Sequence, residues 1–162
     1  MVLTGTFQHT IDSKHRVAIP AEMRAQIARA VKDDGDEQQP VALYVTLGEQ
    51  GSLALYTEPE FDKRARELDE ADVDDQELAE LLEYERLIFS LAHRVEADKQ
   101  GRIRLPEQLL QRVELGTDVV LIGAKDHIEI RSRGPWLAKV EFMLSERPDM
   151  VVNPRMALRK RR

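Results

Sequence analysis

This chain contains several short stretches in which hydrophobic and polar residues alternate, and turn-forming residues separate these stretches. Residues 7–11 and 17–19 follow the period-two pattern of half-buried β-strands. Residues 12–15 predict a tight turn, because the side chain of Asp12 can accept hydrogen bonds from backbone N–H groups just ahead of it. Pro20 ends the second strand and suits the first turn of a helix. The pattern therefore predicts a β-hairpin that leads into a helix.

A helix, an acidic loop and a second hairpin are predicted next. The helix has one apolar stripe at four-residue spacing, formed by Met23, Ile27 and Val31. The loop covers residues 31–40, and its acids are Asp33, Asp34, Asp36 and Glu37. Strands over residues 42–47 and 52–56 follow. A short helix then begins near Pro59 and has Phe61, Ala65 and Leu68 as its apolar residues.

This arrangement occurs twice along the chain. Residues 12–20 read DSKHRVAIP and residues 98–106 read DKQGRIRLP, at a shift of 86 positions. Residues 51–61 correspond to residues 126–136 at a shift of 75, and the longer first loop accounts for the difference. Two segments that recur in the same order indicate an internal repeat. The strands of the second half are predicted at residues 95–97, 103–105, 119–122 and 128–131, and its helices contain Leu109, Leu110, Val113, Trp136, Val140, Met143 and Leu144.

The repeat gives an α+β fold class and a division of the chain into segments. The first repeat covers residues 5–73, the second covers residues 94–148, and the two work as one compact unit. A connecting helix is predicted within residues 74–93, and its wide apolar surface should be buried against the repeats or a neighbouring chain. Residues 149–162 lack periodicity and are predicted to be a flexible basic tail.

The distribution of charge matters more than the net charge of −6, which by itself argues against a nucleic-acid partner. Residues 150–162 contain five Arg or Lys and no acid, so residues 1–149 have 19 basic against 30 acidic residues and a net charge of −11. Charge that is segregated in this way permits a basic face on an acidic protein. The tail itself suits a nucleic-acid arm, a partner tag or a solubilising end.

Other classes of protein are disfavoured. The absence of Cys favours a reducing compartment, and no apolar run is long enough to span a membrane or to suggest a signal peptide at the N-terminus. The sequence has no Gly-rich phosphate loop and no nucleophile elbow. The four His residues lack metal-ligand spacing: they are His9, His15, His93 and His127. We therefore expect no enzyme, metal, cofactor or small-molecule substrate.

The two copies of Asp-x-x-x-Arg, each followed by alternating residues and Pro, resemble the MraZ family of bacterial transcriptional regulators. The resemblance covers residues 5 to about 145 and includes LYVTLGEQGSLALYTEPEF at residues 43–61. It implies two AbrB-like swapped-hairpin domains, double-psi-barrel-like, with pseudo-twofold symmetry and flanking helices, assembled into a ring of identical subunits. It also implies a cytoplasmic, nucleoid-associated protein that binds short direct repeats of double-stranded promoter DNA and represses its own division and cell-wall operon.

The resemblance implies that the family's DNA-contacting Arg is Arg16, that its equivalent in the second motif is Arg102, and that the family's turn lysine is Lys14. With the other residues of the turns, the DNA-binding candidates are Lys14, His15, Arg16, Lys99 and Arg102, although a tolerated turn residue is the safer interpretation of His15. The residues expected to shape the turns are Asp12, Asp98, Gly101, Pro20 and Pro106. For Arg16 a DNA contact is the better interpretation, whereas Arg102 is evenly balanced between a DNA contact and a role in the fold. The two Lys residues should contact phosphate.

One residue departs from the family pattern. The family has Gly before the first Arg, as in Gly101-Arg102, whereas this chain has His15. If that position needs a positive φ angle, His is less favourable there than Gly. A ring-forming structural or protein-interaction module without specific DNA binding is the alternative function.

Overall fold

A computed structural model describes residues 1–31, 40–70 and 72–161, except for the side chain of Val31. The acids of the loop predicted over residues 31–40 lie outside the described residues. The first half contains β1 (Thr6–Thr10), β2 (Arg16–Ala18), α1 (Ala21–Val31), β3 (Ala42–Leu47), a 3-10 turn (Glu49–Gly51), β4 (Leu53–Thr57) and α2 (Glu58–Asp69). A longer helix, α3 (Asp75–Leu91), connects it to the second half.

The second half repeats this order of elements. It contains β5 (His93–Glu96), β6 (Arg102–Arg104), α4 (Glu107–Leu110), β7 (Asp118–Gly123), β8 (Ile128–Ser132) and α5 (Arg133–Glu146), followed by α6 (Pro148–Val152) and α7 (Pro154–Arg159). The α+β class and the tandem repeat are thus confirmed. The helix expected to include Val113 is a single turn that ends at Leu110, although Val113 is still buried.

The two halves exchange strands. Six antiparallel strands form one sheet in the order β1-β7-β8-β4-β3-β5, so each outer strand lies beside the hairpin of the other half. The hairpins themselves meet in the centre, where Leu53 of β4 pairs with Ile130 of β8. The strands β2 and β6, one from each half, form a separate two-stranded antiparallel ribbon. Because neither half has a complete sheet without the other, the repeats form one structural unit.

The main hydrophobic core includes residues of both the ribbon and the large sheet. Val17 and Ile103 pair in the ribbon and are 1% and 0% exposed. The predicted stripe of α1 is in this core through Met23 and Ile27. A smaller cluster contains Ala54, Tyr56 and Phe61. Leu55 belongs to the main core, whereas its neighbours Ala54 and Tyr56 belong to the smaller cluster. Because neighbouring residues of a strand face opposite sides of a sheet, both faces of β4 are covered.

Local capping explains where two of the helices begin. The side chain of Thr57 accepts a hydrogen bond from the backbone N–H of Glu60 at 3.4 Å, at the start of α2. Asp74 and Glu77 form a capping box at the start of α3. Each cap satisfies N–H groups that lack a partner in the first turn of a helix.

One element is only partly covered within the chain, and another differs from the sequence-based expectation. None of the residues of α3, all of which the structure describes, is buried, and Leu78, Leu82 and Leu87 are 43%, 42% and 52% exposed. Leu91 packs against the main core and Phe89 contacts Phe61, so part of the apolar surface of α3 is covered within the chain and part is not. A flexible tail is expected over residues 149–162, whereas residues 148–159 form two short helices with Pro at their first position. The side chain of Asn153 caps the second by accepting a hydrogen bond from the N–H of Met156 at 3.1 Å.

Candidate nucleic-acid interface

The first predicted turn is held together by the carboxylate of Asp12. Its Oδ1 accepts hydrogen bonds from the backbone N–H groups of Lys14 and Arg16, at 2.9 and 2.8 Å. Its Oδ2 accepts one from Nε of Arg16 at 2.8 Å. One carboxylate thus fixes both the turn and the guanidinium group of the Arg four residues later.

The second turn has the same geometry. Oδ1 of Asp98 accepts hydrogen bonds from the backbone N–H groups of Gln100 and Arg102, both at 2.9 Å, and Oδ2 accepts one from Nε of Arg102 at 3.0 Å. The side chains of Arg16 and Arg102 are 30% and 31% exposed. The structure therefore presents both Arg residues in the same way.

A positive φ angle is required before each of these Arg residues. The φ angle is 61° at His15 and 76° at Gly101. Gly101 also allows a close approach, because a Cβ there would lie 2.7 Å from the guanidinium carbon of Arg24. The departure from the family pattern thus puts a non-glycine residue in the left-handed region, where His is one of the more tolerated residues.

Each turn also binds the chain of the other half. The carbonyl of His15 accepts a hydrogen bond from the N–H of Leu105 at 2.7 Å, and the carbonyl of Gly101 accepts one from Ile19 at 2.8 Å. The two bonds are equivalent at the shift of 86 residues, as a pseudo-twofold relation between the halves requires. The two turns are therefore fixed relative to each other by backbone hydrogen bonds.

The ribbon presents basic residues on the side opposite the core. Arg16 pairs with Arg104, and Ala18 pairs with Arg102. Since the ribbon residues between them, Val17 and Ile103, face the core, these pairs lie on the outer face. Arg16 is on β2 and the other two Arg residues are on β6, so both halves of the chain form this surface.

Two further basic residues adjoin the turns, and the sequence treats both as ordinary surface charge. Nε of Arg24, on α1, donates to the carbonyl of Ile19 at 3.1 Å and lies against Gly101. Nε of Arg104 donates to the carbonyl of Lys14 at 3.2 Å. Arg24 thus lies beside Gly101 of the other half, and Arg104 contacts Lys14 of the other half. Arg104 belongs to the second repeated motif, residues 98–106, which is a sequence signal for it, whereas Arg24 lies outside both motifs.

The turns and the ribbon carry an excess of positive charge. They contain five basic and two acidic residues, and Arg24 of α1 adjoins them as a sixth basic residue. The five basic residues are Lys14, Arg16, Lys99, Arg102 and Arg104, and the acidic ones are Asp12 and Asp98. The backbone N–H of Arg16, followed by its side chain, keeps the pKa of Asp12 below its ordinary value. The equivalent groups of Arg102 lower the pKa of Asp98. Both acids therefore remain carboxylates near neutral pH and hold their Arg partners.

The other predicted residues occupy the same region. Lys14 and Lys99 are exposed in the two turns. Pro20 and Pro106 immediately precede α1 and α4, and their carbonyls accept hydrogen bonds from N–H groups of these helices. Every candidate site residue thus belongs to one of the two turn-strand-Pro motifs.

Within residues 1–31, 40–70 and 72–161, no group of three or more His, Asp or Glu side chains is arranged to hold a metal ion. In the same part of the chain, no helix is long and apolar enough to cross a membrane.

The fold and the site together define a class: a tandem-repeat α+β protein whose halves exchange strands and present one basic ribbon with two matched turns. The family model of the MraZ protein matches residues 2–83 and 88–159. The chain belongs to the MraZ family. The resemblance noted in the sequence is thereby confirmed.

Relatives in three bacteria match most of the chain. The similar protein of Mesoplasma florum is 32% identical over 130 residues, which cover 80% of each chain. That of Neisseria meningitidis is 32% identical over 145 residues, covering 90% of this chain and 89% of the relative. That of Thermomicrobium roseum is 30% identical over 146 residues, covering 90% and 92%. Each of these relatives is named transcriptional regulator MraZ.

Proposed function

We propose that this chain is a transcriptional regulator that binds double-stranded promoter DNA through the ribbon and its two turns. The observation that carries the proposal is that the ribbon, its two turns and the adjoining Arg24 together have six basic and only two acidic residues. The first 149 residues of the chain, by contrast, have a net charge of −11. Local positive charge is what phosphate binding needs. The names of the relatives support the same class of function.

The shape of the ribbon supports a contact with the major groove. A two-stranded antiparallel ribbon is narrow enough to enter the major groove of B-DNA. Nε of Arg16 and Nε of Arg102 are bound by their Asp partners, while within the described part of the chain the terminal nitrogens of both form no hydrogen bond. A guanidinium group with two free terminal nitrogens can bind guanine O6 and N7 in a bidentate manner. Arg16 and Arg102 are therefore the residues proposed to read bases.

The remaining basic residues have positioning roles in this proposal. Lys14 and Lys99 are exposed in the turns and suit contacts with phosphate, which fix the protein on the duplex without reading sequence. His15 is adjacent to Arg16 in the same turn, so in this proposal its imidazole makes a further contact with a phosphate of the DNA. Arg24 and Arg104 hold the turns and add positive charge.

The proposed target is the promoter of the chain's own division and cell-wall operon, bound at short direct repeats and thereby repressed. Several motifs of one assembly can contact several repeats, and tethering then makes each later contact effectively intramolecular. The exposed apolar side chains of α3 support assembly into a ring of identical subunits. The protein would act in the cytoplasm, associated with the nucleoid.

The experiment is a titration of the purified chain against its own upstream DNA, with a shuffled duplex of equal length as competitor. We expect binding to the upstream DNA to survive competition by the shuffled duplex. Light scattering gives the size of the assembly in the same buffer, where a discrete oligomer much larger than a dimer is expected. A large assembly that binds both duplexes equally would favour the alternative, a ring-forming interaction module.

A further inference from the structure

A second basic surface lies away from the ribbon, at the beginning of α5. A groove of about 510 Å³ lies between the 3-10 turn, the segment after α4 and the first two turns of α5. Its lining includes Arg112, Glu114, Arg131, Trp136 and Lys139. This volume falls within the range of about 300–1,000 Å³ that is usual for small-molecule sites.

The aromatic wall of the groove is Trp136, the only Trp of the chain. The guanidinium carbon of Arg131 lies 5.3 Å from the centre of the Trp136 ring. Glu129 fixes that guanidinium, since its Oε1 accepts hydrogen bonds from Nε and Nη2 of Arg131 at 2.9 and 2.6 Å. The ring is thus held in place by a cation–π contact, while the half-buried Trp136 still contributes to the groove wall.

The aromatic residue at the equivalent position of the first repeat is covered by other rings. At the shift of 75 residues, Phe61 corresponds to Trp136. Tyr44 stacks on Phe61 with ring centres 4.4 Å apart, and Phe89 of α3 contacts its edge at 5.5 Å. A smaller groove of about 330 Å³ is lined mainly by residues of the first repeat, but Phe61 does not line it. Among the described residues, no aromatic side chain packs against Trp136 as Tyr44 and Phe89 pack against Phe61, so an aromatic groove wall of this kind is specific to the second repeat.

Two cations of the groove are available to a ligand. Arg112 is exposed and has no ion-pair partner within residues 1–31, 40–70 and 72–161. Nζ of Lys139 binds only a neutral group in that part of the chain, Oε1 of Gln50, at 2.5 Å. One lining carboxylate, Glu114, opposes them. An anion that displaces the Gln50 contact gains two charge-assisted interactions.

We propose that this groove binds a small molecule with a planar ring and a phosphate group, that is, a ligand of the nucleotide class. The ring stacks on Trp136, and the phosphate lies between Arg112 and Lys139. Stacking on an aromatic side chain tolerates any planar base, whereas the two cations require the phosphate. The proposal is independent of DNA binding by the ribbon.

The test uses the full-length chain with AMP, adenosine and inorganic phosphate as separate probes. Because Trp136 is the only Trp, its fluorescence reports on the groove directly, and calorimetry gives a second measurement. We expect saturable binding of AMP, with adenosine and phosphate each bound at least about tenfold more weakly. Arg112→Ala and Lys139→Ala should each weaken AMP binding about tenfold, the usual loss for one hydrogen bond to a charged group.

Lys63→Ala is the matched control, because Lys63 is an exposed Lys on α2 outside the groove. It should bind AMP as the wild type does. The proposal is overturned if AMP gives neither heat nor a fluorescence change up to millimolar concentration. It is also overturned if AMP and phosphate bind equally, or if the Arg112 and Lys139 variants bind AMP as tightly as the control.

Discussion

Replacement of Arg16 by Ala tests the proposed DNA interface most directly. The substitution removes the guanidinium group but keeps the backbone N–H groups of Lys14 and Arg16, which both donate to Oδ1 of Asp12. The turn therefore retains two of the three hydrogen bonds that the carboxylate of Asp12 accepts within it. The ion pair that is lost is partly solvated, and such pairs contribute little to stability. We expect the fold and the assembly to remain intact.

The expected loss of DNA affinity is that of one Arg–base contact for each turn motif that is bound to DNA. A bidentate Arg–guanine contact is worth roughly 1–3 kcal/mol, or about 5- to 150-fold in affinity. The sequence leaves Arg102 evenly balanced, but its hydrogen bonds and exposure match those of Arg16. We therefore expect Arg102→Ala to weaken operator binding by a similar factor. In an assembly that contacts several repeats, the loss recurs at each repeat and specific binding disappears.

The assay is fluorescence anisotropy with labelled upstream DNA and with a shuffled duplex, at fixed salt, for both variants. Arg66→Ala provides the control, because Arg66 is an exposed Arg of α2, outside both the ribbon and α3. Both ribbon variants should lose affinity for the upstream DNA and much less for the shuffled duplex. If Arg16→Ala binds the upstream DNA as tightly as Arg66→Ala does, the ribbon is not the surface that reads DNA.

Three further predictions concern the turns and one polar cluster of the sheet. His15→Gly should raise the free energy of unfolding by up to about 1 kcal/mol, because φ is 61° at this position and Gly adopts a positive φ angle more readily than His. A lower melting temperature in calorimetry would show instead that the imidazole makes a stabilising contact. The pKa of Asp12 is lowered from 3.8 in the folded chain, so the stabilisation by the Asp12 carboxylate is present above pH 3.8 and is lost as pH falls through the lower folded value. Asp12→Asn should therefore flatten the pH dependence of thermal melting in acid. An unchanged profile would contradict this. The imidazole of His127 donates hydrogen bonds to the carboxylates of Glu129 and Asp126, and these raise the pKa of His127 above 6.5. The stabilisation by this group is therefore fully present below pH 6.5 and is lost as pH rises through the raised folded value. An NMR titration of Glu129→Gln should show the pKa of His127 falling, and no change would exclude Glu129 as the main cause.

The amino-acid sequence by itself determined the features that depend on neighbouring residues. The Asp12 turn closes through hydrogen bonds over two and four residues, so its chemistry is legible in DSKHR, and the Asp98 turn repeats it. The strands of both halves follow from period-two alternation, and the start of α3 follows from its capping box. The repeat of these local signals also indicated the family.

Only the tertiary structure decided how the halves combine. Alternation identifies a strand but not its partner, so pairing of β1 with β7 and of β2 with β6 could not be read from the pattern. The exposure of α3 likewise depends on what lies beside it, because an apolar stripe does not specify the surface that covers it.

The candidate site divides in the same way. The sequence identified the residues of each turn, whereas the contact of Arg24 with Gly101 and that of Arg104 with the carbonyl of Lys14 join distant segments. Strand exchange brings the two turns onto one ribbon, and this brings their basic residues together. A local pattern fixes hydrogen bonds over a few residues, but the field of a surface is a sum over side chains that folding brings together.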